Sequence, residues 1–253
     1  MVIGNWKLKM SRFAISTVWN AWRCRKAEEI VSEFERLGFN RVELSFGLSA
    51  KMLFDFGKMV DSGRIEITSL HNFCPAPILE KGEKLSHSVL PLSSADESVR
   101  RRSVDQSRRT IMAAHELGAG AVGLHMGRIP LDRRDSLTLV DLLENEQKDT
   151  PRYRRLLNRL RKKRDRKKDV YLDKALQSLK ELIPTGEKLG IKLGLETRYY
   201  PEEIPSLEEI GSLIKETGSP AVGYWHDLGH AQFKENLGWE DHRRFLDEHG
   251  EYL

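Results

Sequence analysis

The sequence predicts an α/β protein of the TIM-type (β/α) barrel class, and three observations support this prediction. Short apolar, β-branched runs alternate with longer stretches of helical period along the 253 residues. Such alternation is typical of parallel strands joined by right-handed helical crossovers. The length suits one barrel domain of about 250 residues, and polar residues follow several predicted strands, where a barrel carries its active site.

Six strand-and-helix units can be followed along the chain. Strands are predicted over 13–19, 41–46, 65–71, 121–126, 191–196 and 221–226. Helices are predicted over 25–37, 49–61, 94–117, 207–217 and 239–249, and a further long helix is predicted to end at Leu189. Gly38, Gly118 and Gly250 directly follow three of these helices, which is a typical signal for a helix end. No glycine-rich phosphate-binding sequence follows the first strand, which disfavours a doubly wound dinucleotide-binding fold.

The composition is that of a globular domain with much charged surface. Hydrophobic residues make up 39% of the chain and charged residues 32%, and the net charge of +4 is too small to indicate nucleic-acid binding by itself. The two cysteines, Cys24 and Cys74, form no zinc or redox motif and indicate no disulfide framework. No apolar run reaches the roughly 20 residues of a membrane span, and no secretory signal is present. We therefore expect a cytoplasmic protein.

The domain organisation is predicted to be an N-terminal extension over 1–10 and a partial barrel domain over 11–253. An insertion over 127–170 follows the fourth strand; it is helical in character and strongly basic towards its end. It is either a solvated helical arm or an anion-binding element for phosphate or a nucleic-acid backbone. Tyr153 is its single aromatic residue, which disfavours single-strand stacking. Its expected packed face consists of Leu139, Leu142, Leu143, Leu156, Leu157 and Leu160.

Imidazole and carboxylate groups end four successive predicted strands. In strand order they are His71 with Asn72, His125, Glu196, and Asp227 with His230. The carboxyl ends of barrel strands meet at one rim, so these side chains are expected in one pocket. Carboxylates mixed with imidazoles suit a divalent cation such as Mn²⁺, Mg²⁺, Co²⁺ or Zn²⁺.

Each candidate also has a structural interpretation. A single histidine at a strand end is more often a hydrogen-bonded loop residue, and Asp227 equally suits the cap of a following turn. Glu196 is the stronger candidate, because a charge after an apolar run must be paired. His226 alternates away from Asp227 if the strand continues, so it is left out of the ligand set.

Four motifs resemble those of the xylose-isomerase-like barrel superfamily, with a resemblance that spans 11–253. They are Ser69-Leu70-His71-Asn72, Gly123-Leu124-His125-Met126-Gly127, Leu193-Gly194-Leu195-Glu196 and His226-Asp227-Leu228-Gly229-His230. The superfamily includes sugar-phosphate isomerases and epimerases, and also apurinic endonucleases of the endonuclease IV type. The Asp-x-x-His motif with the preceding glutamate is fairly specific for the superfamily and poorly specific for one activity.

The resemblance implies different roles in the two branches. In the epimerases, Glu196 would be a metal ligand and the acid/base, Asp227 a metal ligand and His230 a substrate contact. Arg198 and Asn72 are further expected substrate contacts. In the endonucleases, the zinc ligands would be His71, His125, Glu196, Asp227 and His230.

The expected function is that of a metal-dependent isomerase or epimerase acting on a sugar or sugar phosphate, with proton transfer by a metal-bound glutamate. The alternatives are a metal-dependent phosphodiesterase for abasic sites in nucleic acid, or a truncated barrel without catalysis. Both enzyme branches imply further ligands from a seventh and an eighth strand, which we expect to be missing because the sequence ends at Leu253. An open barrel edge favours association, so a homo-oligomer is expected.

Overall fold

The structure is a computed structural model that describes residues 13–81, 85–86 and 89–253. The predicted extension over 1–10 lies outside these residues. The strands are β1 (Ile15–Ser16), β2 (Arg41–Leu44), β3 (Glu66–His71), β4 (Ala121–Leu124), β5 (Gly127–Arg128), β6 (Lys192–Glu196), β7 (Glu203–Ile204) and β8 (Val222–Trp225). The helices are α1 (Ala27–Arg36), α2 (Ala50–Asp61), α3 (Glu97–Glu116), α4 (Arg133–Glu144), α5 (Pro151–Asp165), α6 (Lys168–Leu189), α7 (Leu207–Thr217), α8 (Leu228–Asn236) and α9 (His242–His249).

The main sheet has six strands in the order β1-β2-β3-β4-β6-β8. Its pairing is parallel, with Ile15 opposite Val42 and His71 opposite Gly123. In the described part of the chain the sheet is open, with β1 and β8 at its edges. The short strands β5 and β7 pair antiparallel in a separate ladder. The predicted α/β class with parallel, barrel-type strand and helix alternation is thereby confirmed.

The chain divides into two compact units. The first contains the described residues up to Val89 together with 105–123 and 185–193. Its core is formed by alternate residues of β2 and β3 and by one face each of α1 and α2, where Ile30, Phe34 and Phe56 are fully buried. Burial of each such side chain contributes about 1.5–3 kcal/mol, and this packing rather than local propensity stabilises the two helices.

The second unit contains 90–104, 124–184 and 194–253. It includes the predicted helical insertion, which forms α4, α5 and the start of α6. Thr150 caps α5 by accepting a hydrogen bond from the Tyr153 backbone, and Pro151 occupies the first turn, where its missing N–H costs nothing. The expected leucine face is present: Leu139, Leu142, Leu156 and Leu160 are buried with Tyr153 and Leu237, and Leu143 and Leu157 pack against them.

Some element boundaries differ from the predicted ones because capping contacts override the apolar pattern. The first strand is limited to Ile15–Ser16 and continues as a 3₁₀ turn, whose Thr17 hydroxyl donates to Ser45 Oγ at 2.8 Å. The last helix begins at His242 rather than near Trp239, because Asp241 caps it. Helix α8 was not predicted. Across the described residues, each helix is too short or too polar to cross a membrane.

Candidate functional site

Strand β6 carries Glu196 at its carboxyl end. Leu193 and Leu195 of the same strand are fully buried, and Glu196 itself is only 3% exposed. Gly194 is required between the leucines, since a Cβ atom there would lie 2.9 Å from the Trp225 ring of β8. The apolar strand therefore places a carboxylate in a buried position, where a charged partner is needed.

Two further candidate ligands come from the start of α8. Asp227 Oδ1 accepts a hydrogen bond of 2.7 Å from the His230 backbone N–H. Asp227 therefore caps α8, as the alternative interpretation of this residue predicts. The His230 Nδ1 atom lies 2.8 Å from the Thr197 carbonyl oxygen and 3.5 Å from Asp227 Oδ2. Glu196, Asp227 and His230 each offer one ligand atom, and these atoms lie within 4.8 Å of one another.

His125 joins this group from the end of β4. Its Nε2 atom lies 2.9 Å from Glu196 Oε2, and its side chain is buried. Three predicted ligands of the second unit, His125, Asp227 and His230, thus lie around the Glu196 carboxylate. Two carboxylates with two imidazoles form a donor set that fits a divalent cation of hard or borderline character.

Arg198 lies two residues after Glu196 and is 6% exposed. Its guanidinium donates to Glu196 Oε2 and, at 2.9 Å, to Glu203 Oε1. Although burial opposes the charged form, the charges of Glu196 and Glu203 hold the pKa of Arg198 above its ordinary value. Burial likewise acts against ionised Glu203, but the charge of Arg198 holds the pKa of Glu203 below its ordinary value.

Sequence reasoning did not identify Glu203 as part of the site. Its Oε2 atom accepts hydrogen bonds from the backbone N–H groups of Tyr199 and Tyr200, at 3.0 and 2.8 Å. Glu203 thereby closes the loop that carries Arg198. No apolar period or spacing marks this residue, because the contact depends on the fold of the loop.

His71 and Asn72 lie in the first unit, at and after the end of β3. His71 Nε2 is 3.5 Å from Glu43 Oε2, and a Cβ atom at Gly123 would lie 2.8 Å from the imidazole, so the ring requires glycine there. Burial favours the neutral form of Glu43, but the hydrogen bond from His71 holds the pKa of Glu43 below its ordinary value. Asn72 is buried, and its amide nitrogen lies 3.5 Å from Ser107 Oγ. The ligand role of His71 and the substrate role of Asn72 stay predictions.

A chain of polar contacts also leads away from Glu196. Thr197 Oγ1 lies 2.6 Å from the Tyr224 hydroxyl, which in turn contacts His226 Nδ1. His226 Nε2 lies 3.1 Å from His242 Nε2. His226 makes these contacts rather than joining the group around Glu196. Tyr224 and His242 were not identified from the sequence, because their roles arise only when β8 and α9 pack.

The basic insertion uses several of its cations within the protein. Arg159 and Lys163 both pair with Asp135, at 2.8 and 2.7 Å. Arg161 donates to the Gly238 carbonyl at 2.6 Å, and buried Arg164 forms a two-point ion pair with Glu209. The basic residues of the insertion that are exposed on the surface include Arg152, Arg154, Arg155, Lys162 and Arg166.

Comparison with solved structures shows the same fold in sugar epimerases. A D-tagatose 3-epimerase-like protein is 21% identical with a TM-score of 0.58, covering 90% of this chain and 72% of that chain. L-ribulose 3-epimerase is 16% identical with a TM-score of 0.58, covering 88% and 62%. 3-Keto-D-glucoside 4-epimerase from E. coli is 15% identical with a TM-score of 0.61, covering 95% and 75%. The chain therefore spans only part of the length of each of these proteins.

The sequence identities to these structures are too low to assign the chain to a family, but a match to a family model does so. No curated protein matches the chain. The model of the xylose isomerase-like TIM barrel, in contrast, matches residues 31–251 and so includes every predicted ligand. On that match, the chain belongs to the xylose isomerase-like TIM barrel family.

Proposed function

We propose that the protein is a metal-dependent isomerase or epimerase acting on a sugar or sugar phosphate. The observation that carries this proposal is the buried Glu196 carboxylate at the end of β6, with ligand atoms of Asp227 and His230 within 4.8 Å. The structures named above as sugar epimerases share the fold, which supports this substrate class.

Glu196, Asp227 and His230 would hold the metal, with His125 beside them and His71 as a further predicted ligand. A divalent cation bound there would polarise the carbonyl group of the substrate. The candidate metals are Mn²⁺, Co²⁺, Zn²⁺ and Mg²⁺.

Glu196 is the proposed acid/base. Isomerisation and epimerisation both begin with removal of a proton from the carbon next to the carbonyl group, and an ionised carboxylate within hydrogen-bond reach performs that step. Arg198 and His125 both contact Oε2 of Glu196. Arg198 pairs with the ionised carboxylate and thereby holds it in one orientation.

The predicted substrate contacts are part of the same proposal. The side chain of His230 is 27% exposed, so it can reach both the ligand group and a bound sugar. Arg198 and Asn72 are both buried. We therefore assign direct orientation of the substrate first to His230.

A second candidate is cleavage of a phosphodiester at an abasic site. The placement of His125 at 2.9 Å from Glu196 favours it, since the endonuclease branch uses a histidine at this strand end as a ligand. The internal pairing of Arg159, Lys163 and Arg164 argues against it, because carboxylates of the protein already offset part of their positive charge.

The deciding experiment is a turnover assay of metal-loaded protein on a panel of ketoses, aldoses and their phosphates. Glu196→Gln is expected to lower kcat by about 10²–10⁴, the usual contribution of a general base. Glu216→Gln, which changes an exposed carboxylate in the same way, should keep full activity. If no sugar is converted, the proposal is wrong; cleavage of an abasic duplex would then establish the second candidate.

A further inference from the structure

Two histidines of the second unit face each other outside the proposed active site. His226 follows β8 and His242 is the first residue of α9. Their Nε2 atoms are 3.1 Å apart, and their ring centroids are 5.1 Å apart. Two imidazole nitrogens bound to one tetrahedral metal at about 2.0–2.1 Å would lie about 3.3 Å from each other. The observed spacing therefore suits two ligands of one ion.

The proton position on His242 follows from its neighbours. His242 Nδ1 lies 3.1 Å from Gln232 Oε1, and the amide nitrogen of Gln232 donates to Asn236 Oδ1 at 3.0 Å. Because Asn236 takes up the amide nitrogen, the amide oxygen faces His242 and accepts its Nδ1 proton. The Nε2 atom of His242, which faces His226, then carries the lone pair.

His226 can present a lone pair from the facing nitrogen as well. Its Nδ1 atom contacts the Tyr224 hydroxyl, which both donates and accepts, and Tyr224 contacts the Thr197 hydroxyl at 2.6 Å. With the proton on Nδ1, His226 donates to Tyr224 and its Nε2 atom is open to a metal.

We propose that His226 and His242 form a second metal site, which binds one borderline transition-metal ion such as Zn²⁺. Imidazole ligands select zinc, copper or nickel over magnesium and calcium. Each ring has its outer nitrogen hydrogen-bonded, by Tyr224 or by Gln232, which is the arrangement that orients metal-bound histidines. Structural zinc sites have four protein ligands and catalytic sites three, so an ion held by these two histidines would take its other ligands from solvent. This inference does not rest on the proposed sugar chemistry.

Zinc binding to metal-free protein, measured by isothermal titration calorimetry, tests the site. His242→Gln is expected to remove one zinc equivalent from the total. Gln232→Leu keeps both imidazoles and should weaken that equivalent by about tenfold, as loss of an orienting hydrogen bond does. His115→Gln, a change of an exposed histidine on α3, should leave zinc binding unaltered. Unchanged stoichiometry and affinity in His242→Gln would overturn the inference.

The same titration separates this inference from the proposed function. Glu196→Gln could bind as many zinc ions as the unaltered protein while His242→Gln binds one fewer. That result would support the second metal site and would show that Glu196 is not a metal ligand. Unaltered protein gives an independent readout: zinc should protect His226 and His242, but not His115, from carbethoxylation by diethyl pyrocarbonate, mapped by mass spectrometry. Equal labelling of His242 with and without zinc would contradict the inference whether or not the variants fold.

Discussion

At the scale of single residues, the guanidinium of Arg198 connects the candidate site to the loop behind it. It lies between two carboxylates, Glu196 and Glu203, in a part of the protein that excludes most water. A buried cation of this kind need not add net stability compared with an apolar residue, but its removal leaves buried charges uncompensated. Arg198 is therefore best understood as holding Glu196 in place.

Arg198→Met should lower the free energy of unfolding by about 3–5 kcal/mol, because Glu196 and Glu203 would be left buried without their shared cation. Urea denaturation followed by circular dichroism measures this change. The matched control is Arg101→Met, which breaks an ion pair with Glu97 at a side chain that is 72% exposed. The control should cost less than about 1 kcal/mol. Equal losses in the two variants would show that burial of Arg198 is unimportant.

At the scale of elements, α5 and α7 are joined by the ion pair of Arg164 with Glu209. The two side chains are each 5% exposed and meet through contacts of 2.6 and 2.8 Å. Glu209 also accepts a hydrogen bond from the Ser206 backbone and so completes the capping box of α7. One carboxylate thus both caps α7 and neutralises the buried Arg164 of α5.

The ion pair of Arg164 with Glu209 predicts that the free energy of unfolding decreases at acidic pH. Burial acts against ionised Glu209, but the hydrogen bonds and charge of Arg164 hold its pKa below the ordinary value. A carboxyl group whose pKa is lowered by folding stabilises the protein at pH values above its unfolded-state pKa of about 4.3. This stabilisation is lost as the pH falls through the lower pKa of the folded state.

Glu209→Gln should therefore be less stable than the unaltered protein by about 3 kcal/mol or more at pH 7, with a difference that shrinks below about pH 4. Urea unfolding of both proteins from pH 7 to pH 3 measures the difference. Glu208→Gln, on the exposed face of the same helix, is the control and should show little change. A difference that is constant with pH would contradict the assignment.

At the scale of the whole molecule, metal binding is expected to stabilise the fold by mass action. A ligand that binds only the folded state at 100 times its Kd contributes about 2.7 kcal/mol. Asp227→Asn isolates the ligand role, because asparagine caps helices as well as aspartate does but lacks the charge. The increase in Tm on adding Mn²⁺ should be present in the unaltered protein and largely lost in Asp227→Asn.

Asp241→Asn is the control for the helix cap. Asp241 begins α9 as Asp227 begins α8, yet it is outside the proposed ligand set. Its Mn²⁺-dependent increase in Tm should equal that of the unaltered protein. An equal increase in Asp227→Asn as well would remove Asp227 from the metal site.

The sequence by itself determined the α/β class, the alternation of strands and helices, and the family. These depend on the period of apolar residues and on short motifs, which are local properties of the chain. It also indicated Glu196, Asp227 and His230, because a carboxylate after an apolar strand and an Asp-x-x-His motif are visible within a few residues. Those three residues do lie together.

Only the tertiary structure decided which groups surround that carboxylate. Glu203 holds Arg198 through a loop contact, and His242 meets His226 only because α9 packs beside the end of β8. The unpredicted α8 has a different origin: Asp227 was recognised as a possible cap, but the helix that follows it shows little apolar period. The pairings of Glu203 and His242 have no period and no fixed spacing, because they are set by how distant segments pack rather than by the local preferences of the chain.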